Sequence, residues 1–558
     1  MSAPAFDPLE RTISHGVLQR PLSTDEEMTF PQLTQAGPHT DAYQETSPTG
    51  LVLAREAEAD VAAAVRTRSQ TTLVSRSPTG GKGIVDAEKG ARMDDAKLVT
   101  WLPNDPENPR NWPTKKKWLQ TILPTILCFE AGLASSLITG GIPEMGEHFG
   151  VSALVAGLTV CVFVVGFGLG PLLLSPLSEM YGRKIVYIVS MFLFFIFTLP
   201  ECVTDSFAVL IVFRFLAGCS CSGVMCNAAG SIGDLWAVNE RGNKMFAFSG
   251  ILFASPCLGP LFGGALTVSV GWRWMWWVLF IYSGVNWAFC SVFLVETYSP
   301  TLLRWRAQKM RKETGDPDIV TEQERQGRPL ADVARETLLR PLVLLTTEPI
   351  MILFSGYLCL IYGLLYAFFF AYPIVFMVHG FNATEVGLCF LSVFVGIVLV
   401  SATAGPVQER YYQRKVTENN GAEIAPEYRL PLMMGCSALL PISLFIFAAT
   451  SIKHVHWAGA LVSGIPFGFA LVGIYVSANT YIACAFSQYS ASAMAAKTLA
   501  RSMVGASMPM WIPPLYASIG HFWSGALFAF IAVAMLPIPF IFFKYGAQIR
   551  ARSKMATS

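Results

Sequence analysis

Residues 249–272 read SGILFASPCLGPLFGGALTVSVGW, and this stretch decides the fold. It carries no charge, and as a helix rising ~1.5 Å per residue it is long enough to cross a hydrocarbon core about 30 Å thick. Yet Gly259, Pro260, Gly263 and Gly264 crowd its centre. In the interior of a water-soluble helix each Gly costs about 1 kcal/mol and each Pro about 3. A helix inside a bilayer tolerates both. Neighbouring helices satisfy the freed backbone groups, and small residues let two backbones approach closely. The stretch is therefore expected to span a membrane, with its small residues forming a packing seam.

The whole composition agrees. Apolar side chains make up 53% of the 558 residues and charged ones 14%, with a mean hydropathy of +0.47. A soluble domain holds about 25% charged residues. A net charge of +2 gives no electrostatic footprint for nucleic acid. The 12 Cys are scattered singly, nearly all in apolar runs, with Cys219, Cys221 and Cys226 inside one of them. No C-x-x-C occurs and no His stands at ligand spacing, so buried thiols are expected, with no metal and no cofactor.

Residues 1–100 differ from the rest. They open without the apolar core of a secretory signal and are rich in Ser, Thr, Pro, Gly and mixed charge. A disordered cytoplasmic tail is expected.

From Lys115 onward twelve apolar runs follow, near 117–139, 153–177, 184–202, 206–232, 245–269, 273–295, 348–377, 385–406, 431–450, 457–483, 496–518 and 523–543. The connections alternate in charge. Lys115, Lys116 and Lys117 precede run 1; Arg183 and Lys184 follow run 2; Arg241 and Lys244 follow run 4. The long segment after run 6 holds Arg304, Arg306, Lys309, Arg311, Lys312, Arg325, Arg328, Arg335 and Arg340. Arg410, Arg414, Lys415 and Arg429 follow run 8, and Lys544, Arg550, Arg552 and Lys554 follow run 12. The alternate connections show only Arg273 and Lys453. Positive residues accumulate on the cytoplasmic side, so both termini are predicted to lie there. Trp272, Trp274, Trp276 and Trp277 at the outer end of run 6 read as an interfacial belt. The organisation predicted is a tail (1–100), a six-helix half (101–296), a cytoplasmic central loop (297–345), a second six-helix half (346–546) and a short cytoplasmic C-terminal tail (547–558). The fold class is an all-α membrane protein of twelve spans.

Several polar groups stand out against this apolar background. Between runs 2 and 3, S-P-L-S-E-M-Y-G-R-K (175–184) offers Glu179, Gly182, Arg183 and Lys184, which can lock two helix ends by charge pairing or simply form a charged turn. Arg214 lies inside run 4, nine residues from Asp205. A charge at such depth costs about 2.5–3.5 kcal/mol on insertion scales, so it either faces a cavity or a partner or snorkels to the interface. Glu130 is thirteen residues beyond Lys117, ~20 Å along run 1 and at a depth similar to Arg214. A carboxyl exchanging between Arg214 and a proton would suit proton-driven transport; a neutral Glu bonded to a neighbouring span is the alternative. Asn227, Tyr362, Tyr366, Tyr475 and Asn479 are candidate pocket groups or, equally, interhelical hydrogen-bonding residues. Asn382-Ala383-Thr384 is a sequon in an outer loop, short enough to work against glycosylation.

These residues carry a resemblance. G-P-x-x-G-G at 259–264 resembles the fifth-span antiporter motif of major facilitator superfamily exporters, which implies a kinked hinge sealing one side of the path. Residues 175–184 resemble that superfamily's loop 2–3 signature, G-x-L-x-D-R-x-G-R-R/K. Ser175, Glu179 and Met180 depart from it, while Leu177, Gly182, Arg183 and Lys184 keep it. Leu210, Arg214 and Gly218 resemble a fourth-span motif whose Arg is linked to proton coupling. WLPNDPENPRNWPTKKKW (101–118), GWRWMWW (271–277), HGFNATEVGL (379–388) and RSMVGASMPMWIPPLYASIG (501–520) are similar to fungal twelve-span drug:proton antiporters, which include polyamine and multidrug exporters. Polyamine-exporting relatives carry an acid in F-F-E-A-[FY]-P of span 7; Phe370 stands at that place here, inside Phe368-Phe369-Phe370-Ala371-Tyr372-Pro373. A polycation needs carboxylates once desolvated, so an apolar, amphipathic or anionic cargo is expected.

The resemblance implies a monomeric secondary transporter in a fungal plasma membrane, exporting a small organic molecule against protons by alternating access. A polyamine:proton antiporter, or a vacuolar transporter of the same fold, is the alternative. A transport-inactive sensor is the rival from another class. No catalytic set and no phosphate-binding loop occurs, so an enzyme is not expected.

Overall fold

The computed structural model describes residues 97–325, 330–419, 424–553 and 555–556. The tail expected at 1–100 lies outside the described residues up to 96, as does Arg328, and the side chain of Arg335 is not described. Residues 97–100 correct that expectation. Lys97–Leu98 form strand β1, paired in parallel with β2 at Ile319–Val320, and Val99 packs on Ala307 and Ile319.

The apolar runs are helices α1 Thr114–Phe149, α2 Ala153–Tyr181, α3 Arg183–Val203, α4 Phe207–Leu235, α5 Glu240–Val270, α6 Arg273–Phe293, α7 Pro349–Met377, α8 Ala383–Glu418, α9 Pro431–Thr450 and α10 Ala458–Ala485. The last helical stretch, Ser492–Arg552, is too long for one crossing. Gly520 breaks it with φ 79° and ψ 172°, a conformation that favours glycine, giving α11 (492–519) and α12 (521–552). The twelve crossings form two six-helix halves. α2 packs on α4 and α7 on α11 within the halves. Between halves, α2 meets α11 at Gly168 and Ser502, and α5 meets α8 at Gly264 and Ala383. Outward faces carry exposed Val212, Val285 and Val292, as a lipid-facing surface requires.

Charge alternation identified the long central connection but not its structure. It contains helices Ser299–Thr314 and Leu330–Thr347, and it is tied to the chain before α1. Lys97 pairs with Asp316 at 2.8 Å and Arg306 pairs with Asp105. Gln323 Nε2 donates to the Glu179 carbonyl at 3.2 Å, and Ser553 donates to Glu348 at 2.5 Å. The α2–α3 turn, this central segment and both described chain ends thus share one face of the bundle.

The tryptophan belt needs one correction. Trp274 is exposed, but Trp276 is fully buried and turned into the bundle against Arg214.

Candidate functional site: a latch, a seam and a cavity between the halves

α2 and α3 are separated by Gly182 alone, at φ 100° and ψ 161°. That conformation exposes the backbone N–H groups of Arg183 and Lys184 at the start of α3. Both donate to the Glu296 carboxylate at 3.0 Å. Thr297 and Tyr298 donate to the same carboxylate at 3.0 and 2.8 Å. A Cβ on Gly182 would meet Glu296. The Arg183 guanidinium donates to Ser178 at 2.7 Å, to Asn227 at 3.1 Å and to Asp234 at 3.5 Å, and lies over Tyr298. This is a latch of α2, α3, α4 and the end of α6. Glu296 and Asp234 supply its direct carboxylate contacts; Glu179, to which the sequence pointed, lies near enough for its charge to act on Arg183 without a direct bond and gives its backbone carbonyl to Gln323. Asn227 is also corrected: it sits in the latch, fully buried between Arg183 and the Gly223 carbonyl, and not in a pocket.

At the opposite end, α5 runs between α1 and α8. It stays helical through Pro256, Pro260, Gly263 and Gly264, unbroken to Val270. A Cβ on Gly259 would meet the Ser136 hydroxyl first and its backbone next, one on Gly263 the Leu137 carbonyl, and one on Gly264 the Ala383 carbonyl. Thr384 donates to the Gly264 carbonyl at 3.4 Å. Gly259 and Gly263 therefore serve close contact with α1 inside the N-terminal half, and Gly264 serves backbone contact across the two halves. Asn382 caps α8 in a capping box with Glu385, its side chain accepting from the Glu385 N–H at 2.9 Å. The sequon thus starts a helix packed against this seam.

Arg214 is fully buried. It donates to the carbonyls of Ala134 at 2.5 Å and Thr159 at 3.3 Å, lies over Phe163 and Trp276, and faces Glu201 at 3.6 Å. The expected Glu130 partnership is corrected: Glu130, one turn before Ala134 on α1, accepts from Asn286 of α6 at 2.7 Å, and its other oxygen is unpartnered. Sequence reasoning missed Glu201 because it sits two residues from the end of α3, where an acid passes for an interfacial one. Asn286 carried no signal at all.

Mid-way between latch and seam, a narrow cavity with room for no more than about one water molecule lies between the halves. Gly132 and Ser135 of α1, Phe167 of α2, Phe253 of α5, Tyr362 and Tyr366 of α7 and Arg501 of α11 line it. Tyr366 donates to Ser135 at 3.0 Å, a bond across the halves, and its hydroxyl lies 3.5 Å from that of Tyr362. Tyr475 stands behind Phe253, with ring centroids 4.6 Å apart. Asn479 accepts from Lys497. Phe370 is corrected: it is half-buried against the core and lines no part of this cavity. Lys497 and Arg501, one turn apart on α11 and 4% and 3% exposed, were not singled out by sequence. Their position near the start of run 11, in a weakly apolar stretch, hid their depth.

Known proteins bear on this geometry. The sequence matches the family model described as Major Facilitator Superfamily over residues 125–509. An uncharacterised MFS-type transporter of Schizosaccharomyces pombe is 42% identical, over 82% of this chain and 83% of its own. A multidrug transporter of Aspergillus fumigatus is 38% identical, over 83% of this chain and 76% of its own. Polyamine transporter 3 of Saccharomyces cerevisiae is 35% identical, over 93% of this chain and 86% of its own. Among solved structures, the human organic anion transporter MFSD10 (TETRAN) superposes with a TM-score of 0.52, over 77% of this chain and 100% of that one; at 16% identity the likeness is one of fold.

Proposed function

The chain belongs to the major facilitator superfamily, and from that premise we propose that it exports a small organic molecule across the plasma membrane, driven by protons, by alternating access. The observation that carries this reading is the cavity at mid-height, lined by helices of both halves. In such folds cargo binds between the halves, which rock about the site. The halves, taken as 101–296 and 346–546, meet along α2–α11 and α5–α8, the surfaces that would part. As it stands the cavity has room for no more than about one water molecule, far less than a ligand site holds, so cargo entry requires those surfaces to separate.

The proton would be handled in the N-terminal half. Glu130 has one buried oxygen without a partner among the described residues, and Glu201 faces Arg214 with neither oxygen hydrogen-bonded. Transient protonation of either carboxyl loosens the grip of its neighbours on α6 or α4. That couples protonation to the packing of the half that must move. Both termini would be cytoplasmic and the transporter monomeric.

The test is flux in proteoliposomes holding the purified chain, with an imposed pH gradient and a panel of small aromatic anions, cations and neutral compounds. Gradient-dependent movement of at least one, reduced at least tenfold by Glu130→Gln or Glu201→Gln, is expected. Flux indifferent to the gradient would remove the proton from the mechanism.

A further inference from the structure

Arg501, 3% exposed, is a buried charge without a counter-charge among the described residues. Among the described residues no carboxylate pairs with it or with Lys497. Its neighbours are phenol rings: the guanidinium lies 4.2 Å over Tyr362 and 5.6 Å over Tyr475. Nε and Nη1 are buried without a hydrogen-bond partner. Arg214, also buried, has two carbonyls as acceptors and an acid at 3.6 Å, although its Nη1 makes no hydrogen bond. Arg501 has none of these, and it borders the cavity between the halves.

Lys497 lies one turn earlier on the same helix, donates to Asn479 and sits 5.1 Å from the Tyr475 ring. Two cations at this spacing repel, and a buried charge without a partner is costly. An anion entering the cavity would supply the missing partner. A guanidinium receives a carboxylate or sulfonate in a two-pronged geometry, and its weak hydration makes it the cation of choice for such a site. The remaining walls, Phe167, Phe253, Leu365 and the Tyr362 and Tyr366 rings, offer flat apolar surface for an aromatic body. The hydroxyls of Tyr362 and Tyr366 reach the same space.

We propose that the central cavity binds a small organic anion, an acidic group on an aromatic or otherwise apolar body, with Arg501 as its principal partner and Lys497 supporting the charge. This rests on the transport reading, since it names the cargo class of that cavity. The charge match comes from α11, not from Phe370.

The experiment measures equilibrium binding to the purified full-length chain by calorimetry, without a proton gradient. The probes are 1-naphthalenesulfonate and (1-naphthylmethyl)trimethylammonium, which share one aromatic body and carry fixed opposite charges. The sulfonate is expected to bind at least tenfold tighter than the ammonium. Arg501→Gln should weaken the sulfonate at least tenfold, and Arg501→Lys, which keeps charge without the fork, by less. Should Arg501→Gln fail to run as a monodisperse species, Lys497→Gln carries the same test, with an expected loss of threefold or more. Preference for the ammonium, no measurable sulfonate binding, or unchanged sulfonate affinity in the Arg501 variants overturns the proposal. Sulfonate binding that persists in a chain with no gradient-driven flux would count against proton-driven export and leave the anion site standing.

Discussion

Arg214 faces Glu201 at 3.6 Å across the α3–α4 hairpin, while Glu130 is held by Asn286 of α6. Glu130 and Glu201 are thus buried carboxyls in different company. Removing one partner of a buried ion pair leaves the other uncompensated, at a cost of about 3–5 kcal/mol. Arg214→Gln and Glu201→Gln should each lower stability on that scale. The double variant should lose clearly less than the sum, as thermal unfolding in detergent will show. Additive losses would mean the pair is proximity without coupling.

Glu130 gives a different result. Gln at this position keeps an oxygen for the Asn286 amide, so the fold should survive with little change in unfolding temperature. Only proton binding is lost. Flux measured against external pH should become flat in Glu130→Gln. A retained pH dependence would make Glu130 structural and leave Glu201 as the site to test.

At the seam, Gly263→Val places a Cβ on the Leu137 carbonyl and Gly259→Val places one on the Ser136 hydroxyl and backbone. Backbone cannot yield as a flexible side chain can, and overpacking costs about 1–3 kcal/mol. The closed arrangement of α1, α5 and α8 should be lost, with net export reduced at least tenfold at equal membrane abundance. Wild-type export in both variants would show that this contact does not form during the cycle.

The contact between the chain before α1 and the central segment is pH-sensitive. The Arg306 guanidinium, aided by the Glu107 N–H, holds the Asp105 carboxyl below the usual carboxylate range. A depressed carboxyl stabilises its contact above its unfolded value of about 4, and that stabilisation disappears as pH falls through the folded value. The tether is therefore intact at neutral pH. Asp105→Asn should speed proteolysis within 97–113 at neutral pH, with the difference from wild type vanishing in acid. Equal cleavage at pH 7 would show that β1–β2 pairing alone holds the segment.

The sequence was most legible where one physical cause permits one residue type. Apolar runs of bilayer length have no other reading, and the glycines of α5 are small because the Leu137 and Ala383 carbonyls lie against them. Arg183 could be found from its place beside Gly182. Its acids could not, because Glu296 arrives from the end of α6, 113 residues later in the chain. Glu201 was hidden by lying near a helix end, and Arg501 because nothing in sequence reveals that a cation lacks a partner. Phe370 failed for a rotational reason: Tyr362, Leu365 and Tyr366 define the cavity face of α7, and Phe370 has turned off it. Helices in the central segment were masked by its high charge.

If cargo binds at Arg501 as proposed, this chain should differ in cargo from the relative named as a polyamine transporter. A desolvated polyamine needs carboxylates, and the cavity presents Arg501 instead, with Lys497 behind it. Spermidine should therefore be a poor substrate, and expression of the chain should leave a polyamine-sensitive fungal host sensitive. Phe370→Glu should not change that, because the new carboxylate would lie outside the cavity. Arg501→Glu should, because it reverses the charge at the cavity wall and supplies the partner an ammonium group requires. Strong spermidine resistance conferred by the unmutated chain would show that cargo does not use this cavity as its binding site, and would put polyamine export first.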